Sequence, residues 1–270
     1  VTAVLDGTAL GRWVEIALPE PPWSSPAPFV GFAYLDPQAG MSAKGGPADE
    51  PGSTVLVVRL PIGAPSRILS EAEVADRGLP TPPLWVAAYG PQPPAVAPWR
   101  TAPALRGRWH RQFPDDTAVL CHDGDPVRTG VAPEGCWVRV VEQHPAPARP
   151  AARADGAAVP LDGAVYVGEL LTTPRHLRSL APGDRVWFLA DAARRHALQV
   201  SPAYLAERPA WTVTPCPRCG LVELFEPPSL AAAARFPEQD EVMAFTVRCP
   251  LCPPPAALAL ARRSLEPVLP

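Results

Sequence analysis

Hydrophobic positions in this chain fall in short runs with a period of two, interrupted at close intervals by proline and glycine. Residues 9–18 and 29–35 alternate as strands, and 54–61 is a Val/Leu run of the kind buried on both faces. The Gly/Ala/Pro stretch 37–52 between the last two reads as a loop. Ser70-Glu-Ala-Glu73 is a capping box: the serine caps a helix start and the glutamate reaches back to it, and the helix stops at Gly78 ahead of Pro80. Residues 84–89 read as one more strand, and five prolines between positions 91 and 103 mark a domain boundary.

The pattern resumes near residue 108. Residues 117–122, 136–142, 164–171 and 185–189 read as strands, joined by the turns Asp123-Gly-Asp-Pro126 and Pro182-Gly-Asp184 and by an Ala/Pro/Arg loop, 145–160. Short strands with tight turns predict a small, strongly bent barrel. Ser201-Pro202 opens a brief helix to Glu207, with serine as cap and proline in the first turn. Beyond it, 221–225 and 241–248 read as strands, 229–235 as a short Ala-rich helix and 255–266 as a further helix.

Composition sharpens this picture in three ways. Proline fills 40 of 270 positions, which excludes long helices almost everywhere. Lys44 is the single lysine against 23 arginines, an Arg-, Ala- and Pro-rich usage that fits a GC-rich bacterial genome, and the surrounding Met41-Ser-Ala-Lys44-Gly-Gly46 lacks the phosphate-loop pattern. The net charge of −3 is spread without a strongly basic segment, and no stretch approaches a membrane span or a leader peptide. The expectation is a cytoplasmic protein with no membrane association.

Six cysteines in such a chain suit metal ligation in a reducing compartment better than disulfides. Cys216-Pro-Arg-Cys219-Gly220 and Cys249-Pro-Leu-Cys252 are two Cys-x-x-Cys turns separated by 29 residues. Each turn brings two thiolates to one ion, and the pair completes a four-sulfur site, so Cys216, Cys219, Cys249 and Cys252 are expected to hold a structural zinc ion. Pro253 stands where glycine is usual, which removes one backbone amide from the second turn. The predicted fold is therefore mainly β (a β-rich α+β chain): an N-terminal antiparallel β domain over 1–103, a small barrel-like β domain over 104–211 and a zinc-ribbon-like segment with a short C-terminal helix over 212–270.

Catalytic signals are sparse. Cys121-His122-Asp123, with His110 and Asp115-Asp116 nearby in sequence, is the one cluster with nucleophile, base and orienting acid. Adjacent strand residues point to opposite faces, however, and the bland reading is a buried cysteine beside a turn. Arg175-His176-x-Arg178 with Arg185, Arg194 and Arg195 is a local basic cluster that would suit nucleic acid, although Asp184 and Asp191 interrupt it. Trp137 and Trp187 read as core, while Trp13, Trp85 and Trp211 read as core or interface.

Glu134-Gly-Cys-Trp137-Val138, followed by Gly168-x-Leu170, Pro174 and Gly183-Asp184-x-Val186, resembles a bacterial domain family of unknown function marked by Glu-x-Met-Trp-Val. Cys136 replaces the methionine, and Thr173 stands where that family has asparagine before the proline. The resemblance covers residues 134–190 and implies a fold and a bacterial setting, with no activity. Taken together, the sequence points to a non-enzymatic binding, regulatory or immunity-type accessory protein whose partner is another protein. A hydrolase or transferase using Cys121 and nearby histidines, and a nucleic-acid binder using the arginines and the ribbon, are the alternatives.

Overall fold

The computed structural model describes residues 5–50, 52–61, 63–146, 150–152, 158–160, 164–190 and 196–263, with backbone only at 150–152 and 158–160. The chain divides into two compact units, Val1–Ala102 with Trp109–Asp116, and Pro103–Arg108 with Thr117–Pro270.

The first unit is built on five antiparallel strands, β1 (Trp13–Ile16), β2 (Phe29–Asp36), β3 (Gly40–Pro47), β4 (Leu56–Arg59) and β5 (Ser66–Ile68), in the order β4-β3-β2-β1-β5. Its sheet is covered on both faces. Phe29, Ala33, Met41 and Val58 enter one core with Leu10, Val14 and Ile16. Trp13, Val30, Phe32 and Tyr34 enter a second, with Leu69, Leu79 and Val86. Double coverage explains why β2 is an unbroken apolar run. β3 lies inside the stretch that reads as a loop. Gly45 pairs with Gly31, and a Cβ on Gly45 would meet the Val30 carbonyl oxygen at 2.0 Å, so the glycines there serve close strand approach.

The capping box forms as expected: Ser70 Oγ accepts from the Glu73 amide and Glu73 accepts from the Ser70 amide, opening helix α1 (Glu71–Asp76). Leu84–Tyr89 is a 3₁₀ turn, where a strand was expected. Pro83 precedes it, and Trp85, Val86 and Tyr89 turn toward the second core, a use of apolar residues that no strand period describes. The single lysine lies above this cluster, Lys44 Nζ being 4.8 Å from the Trp85 ring centre and 5.9 Å from that of Tyr89.

The second unit contains β6 (Asp116–Cys121), α2 (Pro126–Thr129), β7 (Glu134–Pro145), β8 (Pro150–Ala152), β9 (Ala158–Pro160), β10 (Ala164–Leu170), β11 (Arg185–Ala190), β12 (Ala197–Gln199), α3 (Pro202–Glu207), β13 (Trp211–Thr214), α4 (Pro228–Arg235), β14 (Ala244–Arg248) and β15 (Ala257–Arg262). Strands β10-β11-β12-β6-β7 close into a barrel, with β12 parallel to β6. The long β7 bends through a register shift at Val167/Gly168 of β10, and a Cβ on Gly168 would meet Val138 Cγ1 at 2.3 Å. Within the 145–160 stretch read as a loop, β8 and β9 form a two-stranded ribbon.

A second sheet, β13-β15-β14, carries the cysteines. β15 replaces the helix expected over 255–266. Leu258 and Leu260 are buried while alternate positions face outward, a period of two that the alanines obscure. Residues 221–225 are buried without joining a ladder. The boundary expected at 211/212 falls inside one core: Val165, Leu189, Leu198 and Val200 of the barrel pack in the same cluster as Trp211, Val213, Phe245, Leu258 and Leu260.

Candidate metal centre

Cys216 follows β13 and Cys249 follows β14, so two neighbouring turns leave the same sheet. The Sγ atoms of Cys216, Cys219, Cys249 and Cys252 all lie within 4.8 Å of one another, and Cys219 Sγ is 3.6 Å from Cys249 Sγ. A tetrahedron with metal–sulfur bonds of about 2.3 Å has edges of roughly 3.8 Å. The four thiols therefore fit a metal ion with little movement.

The two turns are not equivalent. In the first, the Gly220 amide donates to the Cys216 carbonyl at 2.9 Å, and Gly220 adopts φ +72°, a conformation glycine takes without strain. Proline at 253 has no amide to offer, and the second turn is held by Cys252 N to Cys249 O at 3.4 Å. Arg218 links the turns, its Nη1 reaching the Pro253 carbonyl at 3.4 Å. Burial pushes the Cys216 thiol up, but the amides of Cys219 and Arg218 outweigh it and draw the thiol down to about 7. Burial pushes Cys219 and Cys249 up, with Cys216 and Cys219 adding to the rise at Cys249. Four thiols this close need a cation to ionise together. Cys216 and Cys249 are buried, Cys219 is exposed and Cys252 is half-buried.

The other candidate residues are placed elsewhere. Cys121 is fully buried, and burial, then the adjacent Cys136 thiol, pushes its own thiol well above the ordinary range. That is the opposite of a nucleophile's environment. The His122 ring stacks on Phe225 with centres 4.1 Å apart, approaches the Gln199 carbonyl through Nε2 at 3.0 Å and accepts the Gly124 amide at Nδ1. Burial drives this imidazole down to about 4, so it is neutral near pH 7. His110 and Asp115 belong to the first unit, where Asp115 is held by Arg100 Nε and Nη2, both at 2.8 Å, and by Trp99 Nε1 at 2.7 Å. Cys121, His122 and Asp115 are thus each buried and engaged in separate contacts.

Arg175, His176 and Arg178 are exposed; Arg185 pairs with Glu142; Arg194, Arg195 and Asp191 lie outside the described residues. Trp187 is half-buried and stacks on His144. Trp137 is 37% exposed where core was expected, because Cys136, Val138 and Val140 take the inward positions of β7. Trp13, buried, donates to the Pro80 carbonyl, and Trp211 meets Phe245 edge-on.

Three arrangements carry no local sequence signal. Glu134 Oε1 accepts the amides of Arg175, His176 and Leu177 at 2.8, 3.2 and 3.4 Å, and Asp123 accepts those of Arg178 and Ser179, so two carboxylates pin one loop by its backbone. Arg208, Glu223 and Tyr204 form a fully buried polar cluster. Arg128 grips Glu226 through Nε and Nη2 at 3.0 and 2.8 Å. Only their partners, 15 to 98 residues away, reveal them.

No protein-family model, no curated protein and no solved structure matches this chain.

Proposed function

We propose that this is a non-catalytic binding protein whose cysteine-bearing sheet is stapled by a structural zinc ion. The observation that carries the reading is the closed four-thiol set, all within 4.8 Å. Four protein ligands fill a tetrahedral zinc and leave no position for water or substrate. The deep burial of Cys121 and the neutral, engaged His122 also favour binding over catalysis. The partner is another protein and the setting a reducing cytoplasm, which keeps thiols available for metal. The resemblance of residues 134–190 to a bacterial domain family of unknown function supports a bacterial setting, and we read the role as an accessory or immunity-type one. Native mass spectrometry of the purified chain tests the metal: one zinc per chain, lost on denaturation, is expected. Iron, with its thiolate charge-transfer absorption, or no metal at all would overturn it.

One observation favours a second reading. Arg175 and Arg178 project from a pinned loop, and their guanidinium groups form no ion pair among the described residues. A preorganised cationic loop suits phosphate backbones. Retention on immobilised DNA or RNA that weakens steeply with salt would favour nucleic acid over protein as the partner.

A further inference from the structure

An open sheet edge is a template for another strand, and folded chains close, cover or charge such edges. Most edges in this protein are treated in that way. The barrel has none, β13 has β8 packed beside it, and β14 exposes the charged Arg248. In the first unit β5 carries Arg67, held in ion pairs by Glu15 at 3.0 Å and Glu73 at 2.6 Å. The opposite end of that sheet differs. β4 pairs with β3 alone, and the side chains it leaves outside are valines: Val57 is 42% exposed, and Val55, just before the strand, is 57% exposed. No proline, lysine or glycine stands between Val55 and Arg59 to blunt the edge.

The register fixes which backbone groups face outward. The Leu60 amide donates to the Met41 carbonyl at 3.0 Å, and bonded rungs alternate in an antiparallel pair. Val58 is therefore bonded to Ala43, while the N–H and C=O of Val57 point away from β3. No hydrogen bond occupies them among the described residues. The cations near this edge are already engaged within the chain. Lys44, directly opposite Val57 on β3, holds its Nζ 4.8 Å from the Trp85 ring centre. Arg59 Nη1 turns back to Ser42 Oγ at 2.6 Å and to Asp36 Oδ2 at 3.6 Å. What the edge presents is uncharged backbone and valine.

We propose that β4 pairs with β4 of a second copy of this chain, antiparallel about a two-fold axis at Val57. Val57 then exchanges both backbone hydrogen bonds with its counterpart, and the two valine side chains meet on the axis. Val55 comes opposite Arg59, so no like charges face each other across the pair. A second copy suits this edge because it brings the same β-branched side chain and cations that are already matched. A four-residue strand covers less than the roughly 1,000 Å² of a lasting complex, so the association is weak and transient. The inference concerns the first unit alone and stands independently of the zinc assignment.

The test uses the whole chain. Sedimentation velocity between about 10 μM and about 1 mM should show the mass rising toward that of two chains. The Val57 amide should gain protection from hydrogen exchange over the same range. Val57 lies outside both cores of its unit, so Val57→Lys and Val57→Glu are expected to leave the melting temperature unchanged. Each places like charges on the axis and should weaken self-association about tenfold or more, and an equimolar mixture of the two variants should associate again. A chain that stays monomeric throughout, a dimer that both variants leave intact, or a mixture that fails to associate would each overturn the proposal.

Discussion

Arg208 and Glu223 face each other through two hydrogen bonds, Nε to Oε2 at 3.1 Å and Nη2 to Oε1 at 2.9 Å, and neither side chain reaches solvent. Tyr204 donates its hydroxyl to the same carboxylate. The cluster ties α3 to the segment that follows the first cysteine turn. Removing one partner strands a buried charge, so Arg208→Ala or Glu223→Ala is expected to cost about 3–5 kcal/mol. Replacing both by apolar residues of similar volume should recover much of that loss. Denaturant melts of the two single variants and the double variant check this, and additive losses would contradict it.

Chelation is expected to act beyond the cysteine turns. Val165, Leu189 and Leu198 share a core with Val213, Phe245 and Leu258, so loss of the metal should loosen barrel and sheet together. Structural zinc in isolated finger peptides contributes on the order of 10–16 kcal/mol, all of it folding free energy. Amide exchange before and after chelation should show protection falling at Leu198 as well as at Val247. Protection unchanged at Leu198 would mean the two sheets open separately.

Thiol reactivity should rank by exposure and ionisation. With metal removed, Cys219 is expected to be alkylated early, and Cys121 only after unfolding, because burial keeps its thiol protonated. Peptide mapping after iodoacetamide at neutral pH reads this order. Early labelling of Cys121 would revive the nucleophile hypothesis.

The buried imidazole of His122 gives acid sensitivity of a defined sign. Its pKa falls from an ordinary 6.5 to about 4 in the folded chain, so the unfolded chain binds the extra proton first. Its contribution is complete above pH 6.5 and is lost as pH falls toward 4, about 3 kcal/mol in all. Asp123, the charged neighbour, acts in the other direction and moderates the effect. His122→Gln should flatten the pH 4–6.5 portion of a stability profile; an unchanged slope there would falsify this assignment.

Glu134 should control the order of the loop that carries Arg175 and Arg178. Glu134→Ala removes the acceptor for three amides and is expected to speed exchange at Arg175, His176 and Leu177 by about tenfold or more. Glu134→Gln, which keeps a carbonyl acceptor, should fall between the two. Equal exchange in all three proteins would show that the loop holds itself.

Features written in neighbouring residues were legible in the sequence. Ser70 and Glu73 are three positions apart and their reciprocal bonds formed as read; the two Cys-x-x-Cys turns announced their own convergence. What escaped depends on distant partners. Gly45 reads as loop until Gly31 is set beside it, and the Ala-rich 257–262 reads as helix until Val213 and Phe245 flank Leu260. Trp137 reads as core because it lies within a predicted strand, whereas the phase of β7 is fixed by Val138 and Val140.

Barrel closure also sets an order of events during synthesis. The parallel pair of β12 with β6 joins positions 78 residues apart, and the bond from the His122 amide to Gln199 Oε1 joins positions 77 apart. A chain leaving the ribosome from its N-terminus can complete the first unit's five-stranded sheet early, since β5 ends at Ile68, but it cannot shut the barrel until residue 199 has emerged. Until then β6 and β11, the two neighbours of β12, present unpaired edges, and such long-range closure is slow once its last strand arrives. The nascent second unit is therefore the stretch of this protein that stays open longest during synthesis.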